Sequence, residues 1–411
     1  MIKIAIIGGG FGGLQTVLGL EKKFKGNNNV SLALIDKRDY HLFTPNLYEV
    51  ATAGEDLVSV NQIKKSITLP FKEVLKGKNV KFIQGEVTEL DPERKCLILG
   101  QKKLDYDYLV LALGSQSEFF NIPGAKENAM ILKDLPDALR VRNKIAFAME
   151  AQRFEVNKKN LRFVIAGGGY TGVELAGELK GLADFLAWQN QYPREKVTIE
   201  IIEGNNKLIA GFDDRMSRDA LYRLKNIGVQ VRLSEKIAAV DLHYISLASG
   251  EKLAYDILFW SAGVKARGIN SSIQMALDPR GRLDLNEFLQ VKNFHNIFGL
   301  GDMAAVLGTN GKPVPASAQD AADQGKYLAY ALPYILQNQK PPKVYKNIKH
   351  GFIVNCGGKW AVMSYRGIYA TGFFAYAIDK LAHIRYYMSV VSLWKAIKYV
   401  VFQMEIYSRN D

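Results

Sequence analysis

The chain has 411 residues, a length for two or three domains rather than one. Hydrophobic residues at 48% and charged residues at 23% exclude disordered, collagen-like and coiled-coil classes, and two cysteines exclude a disulfide framework or a multi-cysteine metal or iron–sulfur centre. The net charge of +13 is concentrated: residues 340–411 hold eight Lys and three Arg against Asp379, Glu405 and Asp411, together with fourteen aromatic residues.

The N-terminus carries one lysine and reaches glycines after a short apolar run, so it is no signal peptide and a cytosolic or cytosolic-face location is expected. Ile4–Ile7 predicts a strand, ending in Gly8-Gly9-Gly10-Phe11-Gly12-Gly13. A helix follows over Leu14–Phe24, then a strand over Val30–Ile35 that ends at Asp36. Each part of this unit has a physical reason. Gly8 permits a tight turn, Gly10 lets backbone approach a pyrophosphate, and Gly13 lets helix pack on strand. The helix N-terminus offers unpaired N–H groups and a positive dipole end to phosphates. Asp36, 23 residues past Gly13, stands where a carboxylate takes ribose hydroxyls.

Val80–Glu89 and Cys96–Leu99 read as strands, and Tyr106 to Gly114 as a buried strand closing on glycine. The opening unit then recurs. Phe163–Ala166 leads into Gly167-Gly168-Gly169-Tyr170-Thr171-Gly172, a helix over Val173–Trp188, and a strand over Val197–Ile202 ending at Glu203. The two first glycines lie 159 residues apart, a domain-scale duplication. One such glycine pattern is weak evidence for a dinucleotide; two, each between strand and helix and each with a trailing acid, are strong. Leu253–Gly263 repeats the strand-then-glycine pattern, and Asn296–Asp302 is a short strand with an acid at its tip. Pro341-Pro342 marks the boundary of the basic tail. There, apolar residues recur at helical spacing through Leu381, Ile384, Met388, Val391, Trp394, Ile397, Val401 and Met404, interleaved with Lys380, Arg385, Lys395 and Lys398. This predicts one amphipathic helix or two short ones, lying in a membrane interface rather than crossing it, because no apolar run approaches the roughly 18 residues of a span. A core-packing helix or a dimer contact has the same period.

These residues resemble flavoproteins with two dinucleotide-binding domains and, more narrowly, type II (non-pumping) NADH:quinone oxidoreductases. The resemblance spans essentially the whole chain. It is carried by Ile4 to Leu14, His41-Leu-Phe-Thr-Pro45, Tyr108 to Gly114, Gly167 to Glu178, Trp260 to Val264, Phe298 to Asp302 and Ala318-Gln319. It implies an α/β protein of two Rossmann-like domains plus a C-terminal α/β segment ending in the amphipathic, membrane-associating helix. The expected boundaries are 1–125 and 286–340 for the two parts of an FAD-binding domain, 126–285 for an NADH-binding domain, and 341–411 for the membrane-association region. FAD is assigned Gly8, Gly10, Phe11, Gly12, Gly13, Asp36, Lys37, Gly114, Asp302 and Ala318. NADH is assigned Gly167, Gly169, Gly172, Glu203 and Gly263. A carboxylate at Glu203 accepts from a ribose 2′-hydroxyl and repels a 2′-phosphate, so NADH is expected over NADPH, with Asn205-Asn206-Lys207 able to soften the preference.

The resemblance also nominates Glu174 and Gln319 for the reaction zone. Glu174 reads equally as a dipole-compensating residue early in its helix, and Glu178 as structural. The family pattern Ala-Gln-x-Ala-x-Gln departs here: Asp323 holds the second glutamine's place and Gln324 comes one residue late. Asp323 is either a carboxyl with a raised pKa near the quinone or, more simply, a solvated helix residue. The expected partners are NADH, a membrane quinone and a lipid surface, with no nucleic acid, no metal, and a homodimer left open. The expected location is peripheral, on the cytoplasmic face of a membrane. Cys96 and Cys356, 260 residues apart, form no redox pair, which demotes the disulfide reductases and the sulfide:quinone oxidoreductases. The alternatives are a soluble flavin-dependent reductase of a protein electron carrier and a slow-turnover NADH-binding sensor.

Overall fold

The computed structural model describes all residues except 55–56, 154, 156, 279, 309–313, 315 and 408–411. The chain divides into two compact units. The first comprises Met1–Leu42, Thr68–Gln116 and Lys265–His350; the second comprises Phe43–Ile67, Ser117–Val264 and Gly351–Asp411.

The first unit is built on a five-stranded parallel sheet. Its order is Ile297–Gly299, Tyr108–Leu111, Ile2–Ile7, Val30–Asp36 and Val80–Gln84. These strands are near-continuous apolar runs because both faces of a parallel sheet are covered. The chain leaves Ile2–Ile7 toward one edge and later returns on its other side, so the switch point lies beside that strand. Ile7 pairs with both Ile35 and Leu111, which brings Gly8, Asp36 and Ala112 to one carboxyl edge. The crevice there is where open α/β sheets bind ligands. Helix Phe11–Lys23 packs on helix Ala318–Leu336 through small residues: Gly12 faces Gly325, Gly19 faces Ala329, and the Thr16 hydroxyl reaches the Gly325 carbonyl at 3.4 Å. The expected Val80–Glu89 strand stops at Gln84, and Glu89–Asp91 joins a separate sheet against Cys96–Leu99.

The second unit repeats the plan. Its parallel sheet runs Gln230–Arg232, Val197–Ile202, Leu161–Ala166 and Ile257–Trp260. Helix Tyr170–Gln189 follows the central strand and begins, like its counterpart, at the residue after the third glycine. An antiparallel sheet of Phe352–Asn355, Ala361–Tyr365 and Ile368–Gly372 leads into two helices, Phe373–Met388 and Leu393–Tyr407. The tail is therefore two helices, and one basic residue of the expected interfacial face is elsewhere: Lys380 is buried in an ion pair with Glu49 at 3.0 Å. Among the described residues no helix is long and apolar enough to cross a membrane.

Candidate functional site

In the first unit the glycine loop forms an open cradle. Gly8 has φ +101°, and a side chain there would strike the Ala112 carbonyl. A side chain at Gly13 would strike the Gly8 carbonyl, whereas nothing lies within 4 Å of where one at Gly10 would sit. Gly10 caps helix Phe11–Lys23 with no side-chain partner, leaving first-turn N–H groups to a ligand. Asp36 accepts from the Gly9 N–H at 2.7 Å through Oδ2 and from the Arg38 N–H at 2.8 Å through Oδ1, so each oxygen keeps a lone pair. Lys37 is exposed beside it. Below the loop, His41 is fully buried; its Nδ1 lies 2.9 Å from the Gly9 carbonyl and its ring meets Phe11 edge-on at 5.0 Å. Burial lowers the His41 pKa to about 4, so the imidazole is neutral and Nδ1–H donates to Gly9.

The same edge carries a small pocket lined by Gly301, Asp302, Ser317, Asp320 and Gln324. Asp302 Oδ2 accepts from the Ser115 hydroxyl at 2.5 Å, and Gly301 N–H donates to Gln324 Oε1 at 2.7 Å. Gly114 has φ +71° and faces open space. Ser317 caps the helix that starts at Ala318, accepting from the Asp320 N–H at 3.0 Å, and Gln319 is exposed on its first turn. The open position at Gly10, the uncapped helix, the spare acceptors of Asp36 and the pocket at Asp302 fit a dinucleotide such as FAD. Asp323 is neither solvated nor proton-loaded. Burial alone would raise its pKa, but His350 at 2.7 Å and Lys326 at 3.2 Å bring it below the usual value. Gln324, the late glutamine, is the buried one.

In the second unit Gly167 has φ +103° and presses on Ser261 and Ala262, Gly169 faces open space, and Gly172 abuts the Gly167 carbonyl. Gly263 lies against the Phe120 ring. Glu203 accepts from the Gly168 N–H at 2.5 Å through Oε2, and from both the N–H and the side-chain amide of Asn205 at 2.7 and 2.6 Å through Oε1.

This unit also buries a polar cluster that sequence reasoning missed. Glu174 lies on the helix after the loop, and its pKa is pushed well up, first by burial and then by the charges of Asp379 and Glu49. The Asn355 N–H and Lys380 partly oppose this. Lys380 sits 3.0 Å from Glu49 and 3.5 Å from Asp379; burial disfavours its charge, but the two carboxylates outweigh burial and hold it protonated. Asp379 stays ionised against burial through His383, Lys380 and Asn355, and Asn355 Nδ2 also donates to the Tyr48 hydroxyl at 2.8 Å. A signal existed: Tyr376, Asp379, Lys380, His383 and Tyr387 recur at helical steps on the face opposite the apolar stripe, and all five are buried.

A family model for pyridine nucleotide-disulphide oxidoreductases matches residues 2–325. The chain is 32% identical over 337 residues to a demethylphylloquinone reductase of Synechocystis, covering 80% of this chain and 78% of that one. It is 30% identical over 361 residues to a type II NADH:quinone oxidoreductase of Staphylococcus aureus, covering 86% and 87%. Its fold matches NDH2 from Plasmodium falciparum, solved in complex with NADH, with a TM-score of 0.86 at 23% identity over 99% of each chain.

Proposed function

The chain belongs to the pyridine nucleotide-disulphide oxidoreductases and, within them, to the type II NADH:quinone oxidoreductases, and from that membership we propose how its residues divide the reaction. It is an FAD-dependent NADH dehydrogenase that passes two electrons to a quinone without pumping protons. The first unit holds FAD through Gly8, Gly10, Gly13, Asp36 and Asp302, with Phe11, Gly12, Lys37, Gly114 and Ala318 around them. The second holds NADH through Gly167, Gly169, Gly172, Glu203 and Gly263. The observation that carries this division is the pair of open glycine cradles, each backed by a strand-end carboxylate with an acceptor to spare.

When bound, FAD would supply the redox chemistry: hydride taken from NADH, then two electrons and a proton given up toward the quinone. The protein binds and orients. The uncapped helix ends and N–H-lined loops take the pyrophosphates. Asp36 and Glu203 accept from ribose hydroxyls. Desolvation pushes the Glu174 carboxyl well up, favouring its neutral form, and Gln319 offers an exposed amide at the start of its helix. The family's disulphide chemistry is not assigned here, because Cys96 and Cys356 are free and buried, and burial pushes the Cys356 thiol up, away from the reactive thiolate.

The enzyme works at a membrane surface, on the cytoplasmic face. Leu381, Met388, Trp394 and Val401 stay exposed on the tail helices beside the exposed Arg385 and Lys398. Such a face takes lipid and draws a water-insoluble quinone from it; a second copy on the same face would make a homodimer. Anaerobic stopped-flow at the flavin band tests the reaction. NADH should bleach the flavin quickly and a short-chain quinone should restore it. Bleaching without recovery would move the acceptor to a protein carrier.

A further inference from the structure

The two strand-end carboxylates are held differently. Asp36 receives two backbone donors, whereas Glu203 receives three, the third being the side-chain amide of Asn205. A carboxylate has about four acceptor positions. Both positions of Glu203 Oε1 are filled by Asn205 and one of Oε2 by Gly168, so a single position remains, on Oε2. At 8% exposure and with three donors, this carboxylate cannot swing aside. The rest of the loop folds over the same glycine: Ile209 N–H donates to the Gly168 carbonyl at 2.8 Å, and a side chain at Gly168 would meet both Leu208 and Glu203. Lys207 lies in the same loop, four residues after the carboxylate, and its ammonium is tied 2.5 Å from Asp214, the first residue of helix Asp214–Asn226.

We propose that selectivity between a free and a 2′-phosphorylated adenosine ribose is set at this loop by Asn205, which clamps Glu203, and by Asp214, which holds Lys207 away from the ribose edge. The inference rests on the reading of the second unit as the NADH-binding one. A free 2′-hydroxyl can donate to the remaining acceptor on Oε2. A 2′-phosphate, mostly dianionic at neutral pH, brings about 1.5 to 2 negative charges against a carboxylate that cannot move. Lys207 is the loop's own cation able to offset that charge, and Asp214 occupies it; Lys236, whose stem lies against Gly204, reaches the edge from outside the loop.

The test uses the FAD-loaded protein and calorimetric titration with ADP-ribose and with 2′-phospho-ADP-ribose, so that the readout is binding rather than turnover. The wild type should bind ADP-ribose and discriminate against its 2′-phosphate. Asp214→Asn should narrow the ratio of the two affinities about three- to fivefold at low ionic strength, and the gain should fade as salt rises. Adding Lys207→Ala to that variant should abolish the gain. Asn205→Ala should weaken ADP-ribose and narrow the ratio. A ratio unchanged in both single variants, or a gain that survives Lys207→Ala, would overturn the inference and leave the nucleotide site standing. A wild type that binds neither probe would overturn the reading of the second unit and this inference with it.

Discussion

His41 is buried and neutral beneath the first glycine loop, donating to the Gly9 carbonyl while the Gly9 N–H donates to Asp36. The chain from His41 through Gly9 to Asp36 fixes the edge proposed above for the ribose. Its pKa, about 4, lies below the ordinary 6.5 of an unfolded chain. Between those values the unfolded state binds more protons than the folded one. The stability from neutral His41 is therefore complete above pH 6.5, falls as pH drops, and levels off below about 4, a loss on the order of 3 kcal/mol. Denaturant titrations across that window should show a shallower slope for His41→Gln than for wild type. The glycines make a sharper prediction. Because a side chain at Gly13 would meet backbone rather than a movable side chain, Gly13→Val should lose most of its bound flavin, read as flavin absorbance per protein. The glycines and acids of both loops were legible in the sequence because each occupies a fixed offset from a strand end. His41 was visible within its motif but not its task, which depends on Gly9, 32 positions away.

The helix Phe373–Met388 has two faces, and the polar one, not the apolar stripe, builds the fold. The apolar stripe through Leu381 and Met388 is exposed, whereas Asp379, Lys380 and His383 are buried against Glu49 and Asn355. Burying charge is costly unless it is paired. Removing one partner leaves the other uncompensated, so Lys380→Met should cost about 3–5 kcal/mol. Adding Glu49→Gln should recover much of that loss, and urea unfolding of the two variants measures the difference. Glu174 joins the cluster because Gly177, one turn further along its helix, lets that helix lie against Gly357. The second helix, Leu393–Tyr407, is tied in by Gln403, whose amide donates to the Ser66 carbonyl at 2.6 Å, and by Tyr407, whose hydroxyl lies 2.6 Å from that of Ser66. Periodicity predicted helices here correctly, since it reports a period. It does not say which face is covered.

For the molecule as a whole, this arrangement changes how membrane attachment is tested. Deleting residues 379–411 would remove Asp379, Lys380, His383 and Gln403 from the interior and unfold the second unit along with any anchor. The informative variant keeps those and replaces Leu381, Trp394 and Val401, each more than half exposed, by Gln. It should float with anionic liposomes far less than wild type while keeping turnover with a soluble short-chain quinone; undiminished flotation would remove the tail as the anchor. The sequence by itself determined the two strand–glycine–helix–strand–acid units and the chemistry they suit. Those signals are local: tight turns, close backbone approach and helix ends act over a few residues, so their residue types are forced wherever they occur. Tertiary structure alone decided that segments 43–67 and 351–411 complete the second unit, that Lys380 turns inward and the apolar stripe outward, and that Asp323 pairs with His350. Each of these depends on partners tens to hundreds of residues away, whose desolvation and pairing are set only when the chain is folded.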